Sequence, residues 1–154
     1  DRDLCSDMHI ELTTDVDNGR QIVLDPDGMR QVIWNLLRNA SEAANAIEVT
    51  ATVDEREEPP ILVIRVMDDG PGLSADALEN LFEPFFTTKP SGTGLGLATC
   101  HRIVAEHGGT LDARNRDEGG ACFTLTLPSS PSDAAQPTTQ RRRADSIPVK
   151  AVQR

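Results

Sequence analysis

Hydrophobic and polar residues along this chain repeat with two different periods. From His9 to Val16 every second residue is set apart, with Ile10, Leu12, Thr14 and Val16 on one side. That alternation predicts a half-buried strand. Gln21 to Leu24 predicts a short second strand. Asp25-Pro26 then reads as a helix start, an acidic N-cap followed by a residue whose missing N–H costs nothing there. Met29, Val32, Ile33, Leu36, Leu37, Ala40 and Ala44 follow helical spacing, which carries this helix to about Asn45. Alternation returns from Ile47 to Val53. Ile61 to Met67 is apolar apart from Arg65 and reads as a central strand, ending at the turn cluster Asp68-Asp69-Gly70-Pro71-Gly72. A short helix is predicted from Ser74 to about Leu81 and a longer one from Leu95 to His107, closed by Gly108-Gly109. Thr110 to Arg114 and Ala121 to Leu127 predict a terminal strand pair. The order predicts an α+β domain with several strands in one sheet, covered by helices on one face.

Composition narrows the function. The 154 residues carry a formal net charge of -10, and Ser129 to Arg154 holds five Lys/Arg against two Asp/Glu. The tail is thus +3 and the body -13, which argues against nucleic acid as a partner. From Pro128 onward Ser, Pro, Ala, Gln and Arg dominate without periodicity, so 129–154 is expected to be a disordered tail or linker. No apolar run approaches the roughly 18 residues of a membrane span. The expectation is a cytoplasmic fragment with no direct membrane contact, whatever anchors its parent. Cys5, Cys100 and Cys122 lack metal-ligand spacing and read as reduced thiols.

Candidate chemistry lies in three places. Asn35, Asn39 and Glu42 form one stripe on the long helix; the two amide oxygens suit a hard cation such as Mg²⁺, although the stripe taken alone is more ordinarily a solvated face or a helix–helix hydrogen bond. Asp68 ends a buried strand, where its carboxylate can accept from an exocyclic amine such as adenine's, and Gly70 and Gly72 would let a planar ring approach. The third is the stretch from Leu81 to Leu97, LFEPFFTTKPSGTGLGL, which holds Phe82, Phe85 and Phe86, three of the four phenylalanines. Its glycine turn Gly92-Thr93-Gly94-Leu95-Gly96-Leu97 opens a helix and follows Thr87-Thr88-Lys89. Exposed N–H groups, a helix dipole and a nearby ammonium suit a phosphate chain. The turn is neither a Walker A loop nor a dinucleotide fingerprint.

In this order and spacing, NLLRNASEAA (35–44), DDGPG (68–72), LFEPFFTTK (81–89) and GTGLGL (92–97) resemble the asparagine, first glycine, phenylalanine and second glycine boxes of the ATP-binding catalytic domain of bacterial sensor histidine kinases. That family belongs to the gyrase, chaperone, kinase and MutL superfamily. The resemblance covers about 8–128 and is nearest to nitrogen-regulator-like and PAS-linked kinases. It implies a two-layer α/β sandwich of the Bergerat type, a mixed sheet of about five strands with about three helices on one face. It implies ATP and Mg²⁺ as cofactors.

By the resemblance, Asn39 coordinates Mg²⁺ with Asn35 beside it, and Arg38 and Glu42 flank that site. Asp68 binds adenine, with Gly70 and Gly72 lining the base pocket and Thr124 a weaker candidate there. Thr87, Thr88 and Lys89 form the lid, with Lys89 near the terminal phosphate. Gly92 to Leu97 (Thr93, Gly94, Leu95 and Gly96 between them) meet the phosphate chain. Gyrase-like ATPases carry a water-activating Glu where this chain has Asn35, and an amide cannot act as a general base. Poor hydrolysis and phosphoryl transfer to a side chain are therefore expected.

His9, His101 and His107 do not fit the phosphoacceptor context of the family, so the acceptor His is expected on a separate dimerisation domain of the same kinase. Residues 1–7 would be the end of the connector from it. A response-regulator receiver domain is the expected second partner. The alternatives are a hydrolysing ATPase of the gyrase B or MutL type, an anti-sigma-type serine kinase and a non-catalytic docking module.

Overall fold

The computed structural model describes residues 9–16, 20–22 and 24–131. The expected connector (1–7) and nearly all of the expected tail lie outside them. Seven strands and three helices follow in order among the described residues: β1 (His9–Asp15), β2 (Arg20–Gln21), α1 (Pro26–Ala43), β3 (Ala46–Asp54), β4 (Ile61–Asp68), α2 (Ala75–Asn80), α3 (Gly96–Glu106), β5 (Thr110–Asn115), β6 (Ala121–Pro128) and β7 (Ser130–Pro131). Five strands form one mixed sheet in the order β1-β3-β4-β6-β5, parallel only between β1 and β3. β2 and β7 pair separately. Helices α1 and α3 pack on each other and on β3, β4, β5 and β6, so they share one face of the sheet.

The local rules explain most of these elements. The Asp25 carboxylate accepts from the backbone N–H of Asp27 and of Gly28, both at 3.1 Å, which caps α1 at Pro26. The helical stripe Met29, Val32, Leu36 and Ala40 is buried against Cys100, Ile103 and Val104 of α3. Beneath them lie Ile47 and Val49 of β3, Val66 of β4, and Phe123, Leu125 and Leu127 of β6. Each fully buried aliphatic side chain of this kind contributes about 1.5–3 kcal/mol by leaving water.

His107 ties the two helices at their far ends. Its Nε2 accepts from the Asp25 N–H at 2.8 Å, so Nδ1 carries the proton and donates to Ile103 O at 2.7 Å. The ring is therefore a neutral clamp between the start of α1 and the end of α3.

Three expectations change. The half-buried strand at 9–16 is exposed throughout 11–16, with Leu12 at 43%. β1 is an edge strand of the sheet. Helix α1 stops at Ala43 rather than Asn45, because Ala44 is extended and the Asp69 carboxylate captures the N–H groups of Asn45 and Ala46 at 3.0 Å each. Ser129 to Pro131, assigned by composition to the tail, belong to the folded unit: Ser129 is buried and donates both N–H and O–H to Pro60 O at 2.8 Å.

The two captured amides, Ala46 first and Asn45 second, hold the Asp69 carboxyl below the usual carboxylate range. A depressed folded-state pKa gives stability that is present above the unfolded value and lost as pH falls through the folded one. Asp69→Ala is thus expected to lose less stability than wild type between pH 6 and pH 3. Denaturant midpoints at the two pH values check this; equal losses in both proteins would remove Asp69 from the acid response.

Candidate functional site

One cleft of about 500 Å³ gathers the ends of several elements. Its walls come from the last turns of α1, the end of β4, the glycine turn after it, α2, the loop 86–94, the start of α3, and β6.

Asp68 forms the inner end. It is 4% exposed, and its Oδ1 accepts from Gly70 N at 2.9 Å and Ala121 N at 3.1 Å. Oδ2 is the oxygen that these two amides leave free. The backbone around Asp68 is crowded. Arg116 Nη1 donates to Asp68 O at 2.9 Å, and a Cβ on Gly120 would stand 1.9 Å from that same oxygen. Only glycine, at φ +87°, fits at position 120. Asn115 fastens the glycine turn to β5, accepting from Leu73 N at 2.7 Å and donating to Leu73 O at 2.8 Å.

The loop 86–94 is closed at its base, where Phe85 N–H donates to Gly94 O at 2.9 Å. Gly94 sits at φ +70°, and a Cβ there would lie 2.3 Å from Phe85 C. Inside the loop, Gly92 N donates to Lys89 O at 3.1 Å, and Thr87 Oγ1 accepts from Lys89 N at 3.1 Å. Lys89 Nζ crosses to α1 and donates to Asn39 Oδ1 at 3.3 Å and to Glu42 Oε2. The three phenylalanines diverge. Phe82 stacks on His101 at 5.0 Å between ring centroids, Phe86 lines the cleft, and Phe85 is 75% exposed at φ +70°. A non-glycine residue held at positive φ is an outlier that functional sites tend to keep.

Helix α3 begins in the cleft wall beside α1. Leu95 is its N-cap and supplies no side-chain hydrogen bond. The first intrahelical bond is Thr99 N to Leu95 O at 2.9 Å, so the N–H groups of Gly96 and Leu97 have no partner within the helix. Gly96 and Leu97 line the cleft, which makes it electropositive at that end.

Of the residues expected from the sequence, Asn39, Glu42, Asp68, Gly72, Thr87, Thr88, Lys89, Gly92, Thr93, Gly94, Gly96 and Leu97 line this one cleft. Four do not. Asn35 points to α3 and donates to Cys100 Sγ at 3.5 Å, the helix–helix alternative for that stripe. Burial pushes the Cys100 thiol up, so it stays protonated and donates on to Val32 O at 3.9 Å. Thr124 lies on the other face of the sheet with Cys122, since alternation along β6 turns Ala121 and Phe123 to the cleft. Gly70 supports the turn, where a Cβ would meet Ala43 O at 2.7 Å. Leu95 contributes the helix start while its side chain is 42% exposed. The reading of the sequence missed Ala121, Leu73 and Ala77 as walls. Their signal is ordinary core hydrophobicity, which does not separate a cleft wall from a core position.

Residues 24–131 match the family of histidine kinase-, DNA gyrase B- and HSP90-like ATPases. The chain belongs to that family. Among solved structures, the catalytic domain of histidine kinase ThkA is 33% identical, with a TM-score of 0.69 and 80% of both chains covered. The chain is also 43% identical over 127 residues to the sensor histidine kinase ZraS of Escherichia coli O157:H7. It is 40% identical over 126 residues to the sensor protein kinase PilS of Pseudomonas aeruginosa. Those matches take in 80% and 79% of this chain but 27% and 23% of the relatives, so the chain spans about a quarter of their length. The fold is the α+β sandwich of histidine kinase catalytic domains, and the family is a nucleotide-binding one. No helix among the described residues is long and apolar enough to cross a membrane.

Proposed function

We propose that this domain binds Mg²⁺–ATP in the cleft and transfers the γ-phosphoryl group to a histidine on a separate dimerisation domain of the same kinase. A receiver-domain aspartate would take the phosphoryl group onward. The observation that carries the reading is the convergence, in one cleft, of Asp68, Asn39, Lys89 and the uncapped start of α3. ShkA, 29% identical with a TM-score of 0.67, has been solved with the ATP analogue AMPPNP.

Asp68 Oδ2 would accept from the exocyclic amine of adenine, while Gly72 and Ala121 leave room for the ring. The N–H groups of Gly96 and Leu97 would bind the phosphate chain, and Lys89 would turn to its terminal group. Asn39 fits a cation, since its Oδ1 already faces an ammonium. When bound, Mg²⁺ supplies charge neutralisation and orientation of the phosphates.

Asn35 is an amide engaged with Cys100, so no general base for water stands one turn before Asn39. Phe85 and Leu95, both exposed, offer an apolar edge to the dimerisation domain beside the lid.

Mixing the chain with a histidine-bearing dimerisation domain and Mg²⁺–ATP is expected to yield acid-labile phosphohistidine with little steady-state phosphate release. Brisk hydrolysis by the chain alone, with no phosphohistidine, would instead mark a clamp-type ATPase.

A further inference from the structure

Lys89 spans from the lid to α1, with its ammonium on Asn39 Oδ1 at 3.3 Å and on Glu42 Oε2. The other oxygen of Glu42 stands 3.9 Å from Arg38 Nε. Asn39 and Glu42 are one turn apart on α1, so the two oxygens face the same ammonium. A carboxylate beside a polyphosphate site is electrostatically unfavourable unless a cation holds it. The proposed function gives Asn39 Oδ1 to Mg²⁺, and one amide oxygen cannot face an ammonium and a divalent cation at once.

We infer that Glu42 is a positioning residue that parks Lys89 on the metal-binding oxygen when nucleotide is absent, so that Mg²⁺–nucleotide binds by exchanging one cation for another at Asn39. The inference rests on the reading of the cleft as a Mg²⁺–nucleotide site. On exchange Lys89 is released toward the phosphates, and Arg38 remains beside Glu42. The side chains of Lys89 and Glu42 are 41% and 46% exposed, so their coupling is screened. An exposed pair of this kind changes an equilibrium by about 2- to 5-fold. That is weak enough for a phosphate chain to displace and sufficient to bias the empty lid.

The test is the gain in ADP affinity on adding Mg²⁺, measured by calorimetry on the 154-residue chain. ADP lacks the γ-phosphate, so the gain reports the cation at Asn39 rather than the terminal-phosphate contact. Lys89→Met is expected to raise the gain by about 2- to 5-fold. Glu42→Gln is expected to raise it as well, because Lys89 leaves Asn39 more readily. Simple loss of a negative charge near the metal has the opposite sign and would lower it. In the Lys89→Met background, Glu42→Gln therefore is expected to leave the gain unchanged or lower it. If Glu42→Gln lowers or preserves the gain while Lys89 is present, the exchange is overturned and the nucleotide site stands. A wild-type chain that binds ADP neither with nor without Mg²⁺ overturns the reading of the cleft, and the exchange with it.

Discussion

Asn39→Ala is expected to abolish Mg²⁺-dependent nucleotide binding and to lower phosphotransfer by on the order of 10²–10³-fold, the range for losing one preorganised electrostatic contact. The fold should be spared. Asn39 is half-buried, and the one side-chain hydrogen bond recorded for it is to Lys89, itself 41% exposed. Substitutions of this kind stay within about 0.5–1 kcal/mol of wild-type stability. Thermal melting, and calorimetry with Mg²⁺–AMPPNP, separate the two effects. A variant with the wild-type melting point and wild-type Mg²⁺-dependent affinity would move the metal site away from Asn39.

Asp68 has a structural job and a proposed one, and two substitutions divide them. Asp68→Ala strips the acceptor from the buried N–H of Ala121 and the part-buried N–H of Gly70. The buried donor costs about 1–3 kcal/mol and the part-buried one less, so a loss of about 1–4 kcal/mol and weakened folding are expected. Asp68→Asn keeps one carbonyl oxygen for those amides and replaces the other oxygen by a donor. Such a protein should fold, yet meet the adenine amine donor to donor. Its ATP affinity is expected to fall by about 10- to 100-fold, corresponding to about 1–3 kcal/mol. A purine triphosphate with a carbonyl at that edge should bind it relatively better. Equal ATP affinity for wild type and Asp68→Asn would take base recognition away from this carboxylate.

Much of this was legible beforehand because the decisive signals are local. Asp25-Pro26 states a helix start by itself, and the structure adds only the 3.1 Å bonds. The stripe Met29, Val32, Leu36 and Ala40 states which face of α1 is buried. The glycine turn at 92–97 states an open helix start. Each rests on residues within one or two turns of one another, where backbone chemistry leaves few choices.

What stayed hidden depends on partners distant in the chain. Asn35 and Asn39 look alike on one helix, yet α3 takes the first with Cys100 and leaves the second to the cleft. Thr124 and Ala121 differ only in strand parity, and pairing of β6 with β4 and β5 sets which one faces the helices. β1 alternates like a half-buried strand, but its place at the sheet edge leaves 11–16 exposed. Gly120 is required by the carbonyl of Asp68, some fifty residues earlier.

By itself, then, the sequence determined most of the elements, the buried face of α1, the family and the cluster of boxes, since periodicity, capping and turn chemistry act over short spans. The tertiary structure decided which members of those boxes share the cleft, and that Lys89 reaches Asn39 and Glu42 on α1. A hydrogen bond or ion pair needs its partners within a few ångströms, and between residues about fifty positions apart only the packing of the sheet, the helices and the lid sets that distance.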